Sequence, residues 1–176
     1  MTTPASSPRP GAHSSGGLLA GAKHFRVSAS GRVDAPPAQV YAVIADYRRH
    51  HPNIVPPEYF GRLDVLEGGV GAGTRTRVEM HVLGKSRVFE QFVTEPEPGR
   101  VIMETNLDGS GLTTFTVEAA GAGESHVTIA TDIAQQPGFM GFLERLSASI
   151  LLPRIYTREL ARLAEYMAGQ PADRKR

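Results

Sequence analysis

From about Val55 to Ala134 the chain repeats one pattern: short stretches alternating apolar and polar residues, each closed by a glycine, asparagine, aspartate or proline turn. A side-chain period of two is the mark of a strand with one dry face, and links this short force neighbouring strands to run antiparallel. Leu63 and Val65 alternate with Arg62, Asp64 and Glu67 before Gly68-Gly69. Thr74, Thr76, Val78, Met80 and Val82 alternate with Arg75, Arg77, Glu79 and His81, and Leu83-Gly84-Lys85 reads as a tight hairpin turn. Strands follow at about 86–94, up to a stiff turn at Glu95-Pro96-Glu97-Pro98-Gly99, and at 101–105, up to Asp108-Gly109. Two more, around Phe115 and Ile129, flank Gly121-Ala122-Gly123.

What stands on either side narrows the choice of fold. His24 to Ser30 alternates like another strand with one wet face. Asp34-Ala35-Pro36-Pro37 then marks a helix start, because proline suits a first turn whose N–H has no partner anyway. Val40, Ile44 and Tyr47 follow at helical spacing, and Asp46 can cap a second short helix that Pro52 would end. After Pro137-Gly138 the period changes to 3.6. Phe139, Phe142, Leu143, Leu146, Ile150, Leu160, Leu163 and Met167 form an apolar stripe, with Glu144, Arg145, Arg154, Arg158, Arg162 and Glu165 opposite. A helix of about 30 residues would run ~45 Å, with Pro153 expected to bend it.

Helices segregated from strands indicate an α+β fold rather than a doubly wound sheet. One long amphipathic helix must bury its stripe, and the concave face of a curved antiparallel sheet is the surface large enough to take it. Residues 1–22, rich in Pro, Ser, Gly and Ala, read as a disordered tail, residues 23–168 as one domain, and residues 169–176 as a flexible basic end.

Composition excludes more than it selects. The 19 basic and 18 acidic residues nearly cancel, which argues against a nucleic-acid partner. There is no cysteine, so disulfides, thiolate metal sites and thiol nucleophiles are ruled out. No apolar run approaches the roughly 20 residues that span a bilayer, so stable membrane insertion is not expected and a cytoplasmic location is. The histidines show no helical pair with a nearby carboxylate, so neither a metal nor a cofactor is expected. Glycines 68, 69, 71 and 73 join two strands and precede no helix, which removes the phosphate-loop reading.

The order of these elements resembles a known family. Val33-Asp34-Ala35-Pro36-Pro37-Ala38-Gln39-Val40-Tyr41 through Ile44-Ala45-Asp46-Tyr47, then Gly71-Ala72-Gly73-Thr74, Glu95-Pro96-Glu97-Pro98-Gly99-Arg100 and the long last helix, are similar to the START-like (SRPBCC) superfamily, in its polyketide cyclase/dehydrase branch. The resemblance covers about residues 24–168. It implies a helix-grip fold, a seven-stranded curved sheet around the C-terminal helix with two short helices after the first strand and a cavity between sheet and helix. Relatives bind lipids, sterols, polyketides, hormones and other apolar molecules, and some are enzymes. The family has no universal catalytic motif, so no catalytic residue is carried over.

The faces assigned inward carry Thr74, Thr76, Val78, Met80, Met103, Thr105, Thr113, Phe115, Ile129 and Thr131. Small and medium residues dominate and tryptophan is absent, so the hollow of a bent sheet can stay partly unfilled; the alternative is a solid core. The expected ligand-binding set is Tyr47, His51, Thr76, Val78, Met80, Met103, Thr105, Phe115, Ile129 and Thr131, with Phe142, Leu146 and Ile150 from the helix. His51 and Tyr47 are the candidate acid–base residues, although His50-His51 also fits a solvated loop pair and Tyr47 a plain anchor. Glu79, Glu104 and His81 fall in the opposite phase, which leaves no acid–base pair on the inward faces. Three functions remain open: binding or carrying a small hydrophobic or amphipathic ligand; a polyketide aromatase/cyclase or dehydratase; and a protein-interaction module without ligand. Monomer and homodimer are both compatible.

Overall fold

The computed structural model describes residues 23–82 and 84–169. The expected tail at 1–22, all of the expected tail at 169–176 but Gly169, and Leu83 of the expected hairpin turn lie outside those residues. Strand β1 (His24–Val33) leads into helix α1 (Pro37–Ala45) and the single-turn helix α2 (His51–Ile54). Six strands follow: β2 (Phe60–Glu67), β3 (Arg75–Val82), β4 (Lys85–Glu97), β5 (Val101–Asn106), β6 (Gly111–Gly121) and β7 (Glu124–Ala134). Helix α3 (Gly138–Gly169) closes the chain.

All seven strands form one antiparallel sheet in the order β1-β7-β6-β5-β4-β3-β2. Successive hairpins build β2 to β7, while β1 pairs with β7 from His24↔Ala134 to Val33↔Ser125. The first two strands in sequence therefore occupy opposite rims. Register shifts in β2, β4 and β6 mark bulges, which bend strands and tighten sheet twist. With α3 along the concave side this is a helix-grip arrangement, and the α+β expectation holds.

The structure moves several boundaries. Pro52 lies in the first turn of α2 and does not end a helix, consistent with the tolerance of a first turn for a residue without N–H. Asp46 caps the turn before it, its Oδ1 accepting from the backbone N–H of Arg48 at 3.1 Å and of Arg49 at 2.9 Å. Strand β4 continues through Glu97, so the chain reverses only at Gly99, where φ is +84°.

The core lies between the sheet and the helices, with Val33, Val40, Ile44, Ile54, Val93, Ile102, Val127, Ile155 and Leu163 essentially inaccessible. Helix α3 differs along its length. After Pro153, Ile155, Tyr156, Leu160, Leu163 and Met167 are buried. Before it, Phe139, Phe142, Leu143, Leu146 and Ile150 are exposed, Phe139 by 73%. The expectation of one stripe buried end to end holds only for the C-terminal half. The outward face of β3 is wet as its charges require: Arg75 pairs with Glu67 at 2.7 Å, and Arg77 with Glu90 at 2.7 Å.

Candidate functional site: an acid-ended hollow

A hollow of about 1060 Å³ lies between the sheet and α3. That is just above the range of about 300–1,000 Å³ usual for small-molecule sites. Its walls are mostly apolar, with Val78, Phe115 and Ile129 from strands and Leu151 and Leu152 from α3. The ends differ. Exposed Lys85, Arg87, Gln136 and Leu143 line one end and mark a mouth. Buried Tyr47, His51, Glu104, Tyr156 and Glu159 line the other.

The glycine-rich link between β2 and β3 sets the deep end. Gly71 N–H donates to Ala45 O at 3.0 Å and Tyr47 N–H to Gly69 O at 2.9 Å, while Asp46 and Val70 form an isolated bridge. Arg48 adds two side-chain bonds to Gly68 O, at 2.9 and 2.6 Å. Gly69 has φ +128°, and a Cβ there would lie 2.2 Å from Arg48 Nε. The glycines thus hold the turn after α1 against the sheet edge, and that turn carries Tyr47. Nearby, the Tyr41 hydroxyl donates to Glu95, which also accepts from Ala72 N–H at 2.7 Å. Burial and then the Glu95 bond push the Tyr41 phenol up to about 12.

Tyr47 and His51 stack, ring centroids 4.5 Å apart, and the His51 ring meets Phe115 edge-on at 5.8 Å. His51 is buried, which replaces the solvated-loop reading for this residue. Its Nδ1 lies 2.7 Å from Ile44 O. A carbonyl can only accept, so Nδ1 carries the hydrogen, and in the neutral ring Nε2 is left as an acceptor. That nitrogen is 3.9 Å from Glu104 Oε1. The Tyr47 hydroxyl donates to the same oxygen at 2.7 Å. Burial raises the Glu104 carboxyl, against the opposing pull of His51 and of the Tyr47 bond. It also raises the Tyr47 phenol, helped by the Glu104 charge.

Helix α3 contributes a second acid. Glu159 is 3% exposed and lines the hollow. Burial, and after it the charge of Glu104, push its carboxyl up to about 8. One turn earlier the Tyr156 hydroxyl bonds Thr131 Oγ1, which in turn lies 2.9 Å from Thr113 Oγ1. The deep end therefore holds two carboxyls, an imidazole and two phenols. This set can accept, donate and exchange protons with a molecule in the hollow.

Of the residues singled out from sequence, Tyr47, His51, Val78, Met80, Phe115, Ile129, Thr131, Leu146 and Ile150 line the hollow. Thr76 shares their phase but is buried beside it, against Gln91 at 3.4 Å. Phe142 faces outward and is exposed. Met103 and Thr105 require a correction, because β5 presents Glu104 and Asn106 to the hollow and turns Met103 and Thr105 to the other face. The register of one short strand is displaced by one residue, and every side chain on it changes sides. The inference that no acid faces inward falls with it. Glu159 also escapes sequence reading, although a signal exists: it stands three residues after Tyr156 and four before Leu163, on the buried stripe.

Known proteins resemble this chain over most of its length. A family model described as polyketide cyclase / dehydrase and lipid transport matches residues 24–168. No curated protein is similar enough in sequence to match. The solution structure of the KanY protein superposes with a TM-score of 0.73 at 28% identity, covering 84% of this chain and 99% of that one. Zhui aromatase/cyclase from Streptomyces sp. R1128 superposes with a TM-score of 0.69 at 19% identity, covering 83% and 94%. A START superfamily protein from Mycobacterium smegmatis gives 0.56 at 18%, covering 84% and 96%. The last two likenesses bear on the fold alone.

Proposed function

This chain belongs to the polyketide cyclase / dehydrase and lipid transport family, and we propose that within it the protein binds one small, largely apolar molecule with a polar end, lengthwise between sheet and helix. The observation that carries this reading is the hollow of about 1060 Å³, apolar along its walls and polar where it ends. A guest that loses apolar surface to such walls gains about 25 cal/mol per Å², enough to bind without a charged anchor. The polar end would fix its direction.

Native mass spectrometry of protein purified from its own cells, followed by organic extraction, tests the reading. A reproducible small-molecule adduct that extracts into organic solvent is expected. Protein that arrives empty, and that gains no thermal stability from a panel of polycyclic and lipid-like compounds, would count decisively against it.

Catalysis on that guest is the second reading, favoured by Glu104, His51 and Tyr47 meeting on the hollow. A histidine whose Nε2 lies 3.9 Å from a buried carboxyl suits proton transfer in a cyclisation or dehydration. Turnover of a poly-β-ketone surrogate that His51→Ala and Tyr47→Phe each reduce at least tenfold would support it; turnover indifferent to both changes would dismiss these residues.

A further inference from the structure

We propose that the free edge of β1 is an interface with a second copy of this chain: the two β1 strands pair antiparallel about a two-fold axis at Ser30 and join the sheets edge to edge.

Strand β1 ends the sheet and pairs with β7 alone. Lys23 O accepts from Gln135 N–H, while Ala134 N–H turns the other way, to Ser110 O. Bonded and unbonded pairs alternate along an antiparallel ladder, so the odd-numbered residues of β1 bond to β7. His24, Arg26, Ser28, Ser30 and Arg32 therefore direct their backbone N–H and C=O groups to the open side. Helix α3 packs on the inner face of β1, where a Cβ on Gly31 would lie 3.4 Å from Leu160 Cβ and Arg145 stands over the Phe25 ring.

The two rims of the sheet differ. Edge strands are ordinarily blunted by bulges, prolines or inward-pointing charges. Strand β2 carries two register shifts. Strand β1 holds its register with β7 from end to end, contains no proline, and turns Phe25, Val27, Ala29, Gly31 and Val33 inward. Its middle, Ser28-Ala29-Ser30-Gly31, is small and uncharged, so a second backbone can approach to the spacing of about 4.8 Å that a ladder needs.

Charge selects a strand of the same sequence and one register for it. With the axis at Ser30, Arg26 stands across from Asp34 of the other copy, and Ser28 across from Arg32. With the axis at Ala29, Arg26 would face Arg32, and with it at Ser28, Arg32 would face His24. Asp34 is exposed and has no ion pair among the described residues. The Arg26 side chain is 60% exposed and meets Asp132 at 3.4 Å. A two-fold interface makes each contact twice, so the Arg26–Asp34 attraction counts double. The mouth of the hollow stays clear, since Lys85, Arg87, Gln136 and Leu143 lie off β1.

Sedimentation velocity of the full chain over a concentration series tests the pairing. One ladder is smaller than a standard interface, so a dimer with Kd on the order of 10 µM is expected. Ser28→Pro removes an N–H that β7 does not use and sets a ring on the open side; it should fold and weaken the dimer about tenfold or more. Asp34→Lys should weaken it about tenfold, and Arg26→Glu in the same chain should restore most of the loss. Amide hydrogen exchange of the wild type decides the matter if Ser28→Pro does not fold: Arg26, Ser28, Ser30 and Arg32 should slow as concentration rises, while the rim of β2 does not change. A chain that stays monomeric throughout overturns the proposal, as does a dimer indifferent to both Ser28→Pro and Asp34→Lys, or edge amides whose exchange ignores concentration. An extended peptide of another protein bound on this edge while the pure chain stays monomeric would replace the second copy as its occupant.

Discussion

Glu159 ties the proton to stability. Its carboxyl ordinarily titrates near 4.5, whereas burial raises it to about 8 in the folded chain. Between those values the folded state holds a proton that the unfolded state has released, so stability must fall as pH climbs through that window. The loss is on the order of 5 kcal/mol when complete, since each tenfold change in proton affinity is worth about 1.4 kcal/mol. Urea unfolding of the wild type is expected to show a midpoint that drops from pH 5 to pH 8.5. Glu159→Gln, which cannot ionise, should flatten that slope and be the more stable protein at pH 8.5; equal slopes in the two would refute the assignment. Glu104 pushes the same way, since burial raises it too. Both acids escape the sequence reading as part of the site, for different reasons. Val101-Ile102-Met103-Glu104-Thr105 carries apolar residues in both phases, and the strand buries residues on both faces, so alternation does not say which face is inner. Glu159 stands on a helix, where the default for an acid is the wet side, because acids are rarely fully buried without a partner.

Among the elements, the glycine-rich link is the one whose role composition alone obscures. Its glycines suggest flexibility, yet they lock the turn that carries Tyr47. Gly69→Ala would place a Cβ against the Arg48 side chain at a φ of +128° that other residues seldom adopt. The expected cost is about 1–3 kcal/mol, read as a lowered urea midpoint, with weaker binding of any ligand the wild type retains because Tyr47 shifts with the turn. Gly73→Ala is the useful comparison: its φ is also positive, but no atom lies within 4 Å of the added Cβ. A loss no larger for Gly69→Ala than for Gly73→Ala would contradict the clasping role. The hairpins, the α1 start and the last helix are legible because each rests on local rules: period two, a first-turn proline, period 3.6. What covers a helix is not local. Phe142 and Leu146 carry the same stripe as Leu160 and Leu163 and meet a different fate, because among the described residues the fully buried side chains of α3 all lie after Pro153.

For the molecule as a whole, the pairing of β1 with β7 sets the folding problem. His24 meets Ala134 across 110 positions of chain, and α3 packs against the strand that this pairing places. Long-range strand pairing slows folding, so stopped-flow refolding is expected on the millisecond-to-second scale; microsecond refolding would show that the pairing is not limiting. The strand order has a second consequence. No ladder joins β1 to β2, the strands on the two rims, so the sheet is a clasp and not a closed ring. A ring of fixed strand number has one bore, and widening it means breaking backbone hydrogen bonds. The rims of a clasp are joined by no ladder between strands, so a scaffold of this shape can serve passengers of unequal girth by changing only the side chains along its gap.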